Sequence, residues 1–161
     1  MKIKKDSKSL FIRLVDYKRN DFAEEHYKTF LEHKKVWILK MGRRLNEEFI
    51  KDVIKDDGCL IIKSTARNGN QFYICKLNEL NQDEEYIYPE YYNELFEENS
   101  YELSGIKRLG TWLKIVDMKK IDRNTVEKFE TISTKRSLYE CGTKFNQVSQ
   151  IYVTSKENIE L

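Results

Sequence analysis

The sequence predicts an α+β fold in which a small sheet curls into an open β-barrel beside two helices. Helix-like and strand-like segments occur in separate runs instead of alternating, which favours α+β over a doubly wound sheet. Five or six short strand-like segments are enough for a sheet that curls in this way. The chain of 161 residues is 40% hydrophobic and has one proline. It is expected to form a single domain over residues 1–161, with its core between about 9 and 155.

The first half of the chain provides both helices and the first strand. Residues 9–16, SLFIRLVD, are apolar and partly β-branched, so they predict a strand. Residues 20–35 predict an amphipathic helix with acidic residues in its first turn and lysines in its last. The run VWILKM that follows is too short for its type to be assigned. Residues 46–58 predict a second amphipathic helix that ends at Gly58.

The second half is rich in strands. Residues 59–77 predict a hairpin whose turn is RNGN. Residues 78–104 are acidic and rich in tyrosine, and they predict a long loop. Strands are expected again at 110–121 and 149–155. Two short helical or turn segments complete the order, RNTVEKFE and residues 137–145.

Cysteine and histidine usage indicates neither a disulfide framework nor a metal site. Cys59, Cys75 and Cys141 are odd in number and widely spaced, so they are expected to be reduced core thiols in a cytoplasmic protein. His26 and His33 lie seven positions apart, so they share one helix face and are expected at the surface. The apolar runs are too short for a membrane span, and the N-terminus lacks the apolar stretch of a secretory signal.

No catalytic motif stands out, so the chain is expected not to be an enzyme and to need no cofactor. It lacks a Walker A loop and the GxSxG and HExxH motifs. A nuclease of the PD-(D/E)xK type needs a carboxylate two positions before a lysine at the end of a strand. The residues two positions before Lys63 and Lys76 are Ile61 and Ile74, so this magnesium site is not predicted.

The positive signal is the interleaving of aromatic and cationic side chains. The net charge of +2 argues neither for nor against nucleic acid, so local patches must decide. The stretch HKKVWILKMGRR places Trp37 among lysines and arginines, either as a core residue or as a platform on which a flat base stacks. Tyrosines of the acidic loop either wall a base pocket or cover one end of the barrel. They are Tyr86, Tyr88, Tyr91, Tyr92 and Tyr101.

Four segments, taken in order, resemble YTH domains. They are LVDYKRNDFAEEHYKTFLEHKKVW, LNEEFIKDVIKDDGCLIIKSTARNGNQFYICKL, GTWLKIVDMKKI and LYECGTKFNQVSQIYV. The similarity is one of order and pattern over about residues 9 to 155. YTH domains belong with EVE and other PUA-like domains, which are open β-barrels that insert a flipped, modified base into an aromatic cage. The resemblance therefore implies a PUA-like barrel of the YTH/EVE type that binds a modified nucleobase.

The resemblance also assigns the base pocket residue by residue. Trp37 corresponds to the first cage tryptophan, and the backbone of Ile38 would face the base edge. Asn20 or Asp21, in the polar stretch after the first strand, would hydrogen-bond that edge. Trp112 aligns with a strand tryptophan of structural role. The second cage wall is usually a tryptophan in the family, and here it would come from Tyr86, Tyr88, Tyr91 and Tyr92.

The biological role that follows is the targeting of a modification-dependent restriction system in phage defence. YTH domains read N6-methyladenine in RNA, and related prokaryotic domains read modified DNA bases at the N-terminus of McrB-type restriction subunits. We therefore expect base flipping of methylated DNA, with N6-methyladenine favoured over 5-methylcytosine, beside an AAA+ GTPase and a nuclease as fused or separate partners. Two alternatives stay open: a reader of methylated RNA, and a protein-interaction domain that uses the acidic loop. Phosphate contacts are expected from Lys18, Arg19, Lys34, Lys35, Lys40, Arg43 and Arg44.

Overall fold

A computed structural model describes residues 1–14, 21–41, 43–64, 69–82, 110–144 and 149–161. Within these ranges the chain forms a mixed seven-stranded sheet, a separate two-stranded sheet and four helices. The strands are β1 (Lys2–Ile3), β2 (Lys8–Arg13), β3 (Val36–Met41), β4 (Leu60–Lys63), β5 (Phe72–Asn81), β6 (Gly110–Ile121), β7 (Phe129–Thr131), β8 (Gln150–Ser155) and β9 (Ile159–Glu160). The helices are α1 (Phe22–His33), α2 (Glu47–Lys55), α3 (Arg123–Val126) and α4 (Leu138–Lys144).

The strand order of the large sheet is β3-β6-β5-β4-β2-β8-β7. Strands β2 and β4 run parallel, whereas the other neighbouring pairs in this sheet are antiparallel. Among the described residues the sheet is open, with β3 and β7 at its edges, and β1 pairs with β9 beside it. The predicted α+β class is confirmed, and a curled sheet is consistent with this arrangement.

Alternate residues of the strands build a core on each face of the large sheet. Leu10 and Ile12 of β2 pack with residues of α1 and α2, which cover what we call the helix face. Phe11, between them, points to the opposite face, where it packs with residues of β9, α3 and α4. This period of two is the ordinary geometry of a strand buried on both sides.

Helix α1 begins and ends by local signals that the sequence carries. Asp21 is its N-cap, and the carboxylate oxygen Oδ1 accepts a hydrogen bond of 3.0 Å from the backbone N–H of Glu24. Lys34 ends the helix in the left-handed region, with φ of 57°, and its N–H bonds to the carbonyl of Phe30. The helix is therefore two residues shorter at each end than the predicted span of 20–35.

A polar network joins the start of α1 to the sheet. The hydroxyl of Tyr73 donates to Glu24 at 2.5 Å, and the ammonium of Lys120 lies 2.9 Å from the same carboxylate. Burial alone would raise the pKa of Glu24, but the hydrogen bonds from Tyr73 and Lys120 outweigh burial and lower it. The ammonium of Lys120 also lies 5.2 Å from the ring centroid of Tyr27. Lys120 of β6 therefore contacts two side chains of α1, Glu24 and Tyr27.

The C-terminal end of α2 differs from the prediction. The helix ends at Lys55, and it is Asp57, with φ of 54°, that takes the left-handed conformation expected of a glycine. Gly58 comes one residue later and donates its N–H to the carbonyl of Val53 at 2.9 Å, which is the long hydrogen bond of a Schellman motif. A glycine is required there for space, because a Cβ on Gly58 would lie 1.9 Å from the backbone oxygen of Lys8.

The second half follows the predicted order, with a longer strand β5 and additional short strands. The hairpin is confirmed, since β4 and β5 pair from Leu60–Cys75 to Lys63–Phe72. Strand β5 continues to Asn81, so the prediction of a loop from residue 78 was wrong for its first four residues. The strand at 110–121 is confirmed, and 123–126 and 138–144 are helical. Strands β1, β7 and β9, which are two or three residues long, were not predicted, and β7 begins within the segment RNTVEKFE that was expected to be a helical turn.

The histidine prediction was wrong for one residue and right for the other. His33 is exposed, whereas His26 is fully buried and its Nδ1 lies 2.6 Å from the carbonyl oxygen of Phe22. Cys59 and Cys75 are buried free thiols, as expected, whereas Cys141 is a free thiol of intermediate burial and not a core residue. Within the described ranges, no cluster of side chains could hold a metal ion, and no helix has the length and apolarity needed to cross a membrane.

Candidate functional site

The run VWILKM is strand β3, and among the described residues it lies at an edge of the large sheet. It pairs antiparallel with β6, so that Trp37 stands opposite Lys114 and Leu39 opposite Trp112. Val36 and Ile38 point to the helix face and belong to its core. Because side chains alternate along a strand, Trp37 and Leu39 point to the opposite face. If the run were extended, Val36, Ile38 and Leu39 were expected to serve the core and Trp37 to point the other way; this is correct for Trp37, whereas Leu39 lies on the same side as Trp37.

Trp37 and Trp112 are diagonal neighbours on that opposite face of β3 and β6. Diagonal pairs of an antiparallel ladder have their side chains about 7–8 Å apart, within reach of two indole rings. Both residues are buried, with 5% and 6% of their surfaces exposed. We call these two residues the tryptophan pair. The resemblance assigned Trp112 a structural role, and its position beside Trp37 was not predicted because it depends on a strand register that spans about 75 positions of the chain.

A cation stands over one ring of the tryptophan pair. The ammonium of Lys114 lies 5.6 Å from the centroid of the Trp37 ring, which is a cation–π distance. Glu79 on β5 is in register with Lys114 and forms an ion pair with it at 3.3 Å. Neither residue was singled out from the sequence. The available signal was the alternation of Trp112 and Lys114 with the apolar Leu113 and Ile115 along β6.

Exposed cations stand at both ends of β3. Lys34 and Lys35 precede the strand, and Arg43 and Arg44 follow it, and all four are exposed. Six strand residues separate the two pairs by about 20 Å. A nucleic-acid backbone that ran along this edge would meet positive charge on either side of Trp37. These four residues were predicted as phosphate contacts, and the structure brings them to one edge of the sheet.

Lys40 has a different environment from these four cations. It is 4% exposed, and its ammonium donates to the carbonyl oxygen of Arg43 at 2.9 Å. Burial lowers its pKa. In this structure the side chain of Lys40 closes the turn after β3 and does not face solvent, where a phosphate would pass.

Gln82 anchors the turn after β3 to the rest of the sheet. Its side-chain oxygen accepts hydrogen bonds from the hydroxyl of Thr111 at 2.6 Å and from the N–H of Leu45 at 3.3 Å. Its backbone carbonyl accepts a bond of 2.6 Å from the guanidinium of Arg44. Gln82 therefore orients one of the exposed cations. Nothing in the sequence pointed to this role, because a lone glutamine forms no motif.

Of the predicted contacts to the base edge, Asp21 is not brought to the tryptophan pair. Asp21 caps α1 and lies near Tyr73, whose partner on β6 is Lys120, six residues beyond Lys114. Tyr73 also points to the helix face, away from Trp37. The predicted contact of Ile38 is through its backbone, which lies next to Trp37 in β3, while its side chain is fully buried in the core of the helix face. The other predicted site residues lie outside the described ranges: Lys18, Arg19, Asn20, Tyr86, Tyr88, Tyr91, Tyr92 and Tyr101.

Comparison of the chain with protein-family models, with curated proteins and with solved structures found no significant match. The resemblance to YTH domains therefore stays a prediction. The candidate site consists of the tryptophan pair, Lys114 and the exposed cations at the ends of β3.

Proposed function

We propose that this chain is a nucleic-acid-binding domain that takes a flipped, methylated base against the tryptophan pair. The observation that carries the proposal is the position of Trp37 on the non-helix side of an edge strand, between two pairs of exposed cations. A tryptophan that belonged to the core of the helix face would point to that face, as Val36 and Ile38 do. In this proposal the sheet curls as in PUA-like domains of the YTH/EVE type.

Stacking supplies the favourable energy of the proposed complex. A base on an aromatic ring contributes about 1–3 kcal/mol, which offsets the few kcal/mol needed to extrude it from a duplex. Both indoles are buried, so binding of a base requires that the ring of Trp37 become exposed. Lys114, already over the Trp37 ring, is then placed to contact a base or its phosphate. Burial of the methyl group adds about 0.8 kcal/mol.

The exposed cations supply the part of the affinity that does not depend on sequence. Lys34, Lys35, Arg43 and Arg44 are arranged along the strand that carries Trp37, so phosphates and base are held by the same edge. Methylated DNA is the proposed ligand, with N6-methyladenine ahead of 5-methylcytosine. The proposed role is the targeting of a restriction system that includes an AAA+ GTPase and a nuclease. Methylated RNA is the alternative ligand, and binding measurements with DNA and RNA strands of the same sequence distinguish the two.

We expect short DNA strands with one N6-methyladenine to bind at least about fourfold more tightly than unmethylated ones, which is the ratio that corresponds to one buried methyl group. The measurement is fluorescence anisotropy with labelled single strands at several salt concentrations, with RNA strands of the same sequence in parallel. Equal affinity for methylated and unmethylated strands of both kinds would contradict base reading.

The double variant Lys35→Ala/Arg43→Ala should reduce the slope of log K against log salt by about 1.4, since each phosphate contact on a single strand contributes about 0.7. The preference for the methylated strand should persist, because neither cation contacts the base. Lys156→Ala is the matched control, since Lys156 is exposed after β8, far from β3 in the strand order. If the double variant has the same salt slope as the parent chain, Lys35 and Arg43 do not contact the phosphates of the bound strand.

A further inference from the structure

Two β-bulges interrupt the pairing of β5 with β6, one on each strand. The register first shifts after Lys76, where Val116 is an extra residue on β6. It shifts again after Leu77, where Asn78 is an extra residue on β5. An extra residue changes the alternation by which side chains point to the two faces of a sheet. Bulges are common beside binding sites for this reason, because they re-aim a side chain.

The bulge on β6 decides which face carries the tryptophan pair. Met118, on one side of the bulge, belongs to the core of the helix face. Without a bulge, every second residue before Met118 would point to that face, and Trp112 and Lys114 would be among them. Instead Leu113 and Ile115 belong to that core. The tryptophan pair and Lys114 therefore share the opposite face because the strand is interrupted.

The bulge on β5 brings a carboxylate to the same face. Leu77 packs in the core of the helix face, so in a regular strand Glu79 would point there as well. Instead Glu79 is the register partner of Lys114 and forms an ion pair with it. Because the ammonium lies 3.3 Å from the carboxylate and 5.6 Å from the centroid of the Trp37 ring, the carboxylate is at most about 9 Å from that ring.

The carboxylate of Glu79 can accept a further hydrogen bond. Its Oε2 accepts the bond from Lys114, whereas no side chain or backbone group of the described residues donates to Oε1. A carboxylate offers about four acceptor positions on its two oxygens, so the ion pair leaves room for a ligand. The side chain is 45% exposed and therefore accessible. A base stacked on Trp37, with a hydrogen bond of about 2.9 Å at its edge, spans the distance from the ring to this carboxylate.

We propose that Glu79 selects bases with an exocyclic amino group at position 6 of a purine or position 4 of a pyrimidine. The inference rests on the proposed function, because the base must stack on the tryptophan pair. A carboxylate only accepts hydrogen bonds, so it pairs with the amino group of adenine or cytosine. Guanine and thymine carry an oxygen at that position, which the carboxylate repels. N6-Methyladenine keeps one N–H and remains a donor.

A matched pair of bases isolates this hydrogen bond. O6-Methylhypoxanthine has the ring and the methyl group of N6-methyladenine, but an oxygen replaces the N–H. Single strands with these bases should differ about tenfold in Kd in favour of N6-methyladenine, as one hydrogen bond to a charged group implies. In Glu79→Gln the two strands should bind almost equally, because an amide accepts from one base and donates to the other. A purely structural role of Glu79 would change the binding of both strands alike.

Glu130→Gln is the matched control and should keep the tenfold ratio. Glu130 also forms an ion pair of 3.3 Å from a strand, but that strand is β7, at the other end of the strand order. Equal binding of the two strands by the parent chain, or an undiminished ratio in Glu79→Gln, would overturn selection by Glu79. Methyl reading fails on a different comparison, equal binding of adenine and N6-methyladenine strands, so the two failures are distinguishable. Absence of binding to every strand would overturn both.

Discussion

Acidification from about pH 6.5 to about pH 4 should reduce the free energy of unfolding by about 3 kcal/mol through His26 alone. Burial lowers the pKa of His26 from 6.5 to about 4, and the bond to the Phe22 carbonyl and the charge of Glu25 oppose this only in part. Between these two values the unfolded chain binds a proton that the folded chain does not, so stability falls as the pH falls. Above pH 6.5 both states are neutral at this residue, and the full stability is present.

Urea unfolding at a series of pH values measures this loss. His26→Gln keeps a side-chain N–H for the Phe22 carbonyl but does not titrate, so most of the loss above about pH 4.5 should vanish. Glu24, whose pKa is lowered in the fold, loses its contribution only below that range. His33→Gln is the matched control, because His33 is the exposed histidine of the same helix. A His26→Gln chain that loses as much stability as the parent would contradict the burial of a neutral histidine.

Gly58→Ala should destabilise the fold by about 3 kcal/mol and lower the Tm by about 10 °C. The added Cβ would lie 1.9 Å from the backbone oxygen of Lys8 and 3.1 Å from a methyl of Val53. Lys8 begins β2, which is hydrogen-bonded to β4 and β8, so its carbonyl cannot move away without breaking ladder bonds. Urea unfolding and thermal unfolding both report the loss.

Gly69→Ala is the comparison that separates crowding from backbone strain. Gly69 has φ of +75° and no atom within 4 Å of an added Cβ, so only strain acts there, at about 1 kcal/mol. If Gly58→Ala lowers the free energy of unfolding no more than Gly69→Ala does, the result contradicts the close approach of Gly58 to the backbone of Lys8.

Local signals predicted the elements that depend on nearby residues. The cap at Asp21 and the alternation over 110–121 operate within a few positions, so α1 was found to within two residues and β6 at its observed bounds. The type of VWILKM could not be decided, because six apolar residues fit a strand and a buried helix equally well. It is a strand because β6, about 75 positions away, provides its partner.

The burial of charged and titratable side chains was the feature that could least be predicted from the sequence. Lys40, Lys63 and His26 are all buried, although each was expected at the surface or carried no structural prediction. A charged residue near an apolar run is usually solvated, and only the packing of distant elements determines that these three are not. The same limit applies to Trp112, whose place beside Trp37 follows from register and not from either local sequence.

The emission of Trp37 tests base binding most directly. The chain has two tryptophans, so Trp112→Phe leaves Trp37 as the sole indole and keeps an aromatic ring beside it. Titration with a strand that contains N6-methyladenine should quench this emission, with the same midpoint as the anisotropy of the labelled strand and with weaker quenching by the unmethylated strand. Saturated anisotropy with unchanged Trp37 emission would show that the nucleic acid binds elsewhere and that Trp37 is a core residue.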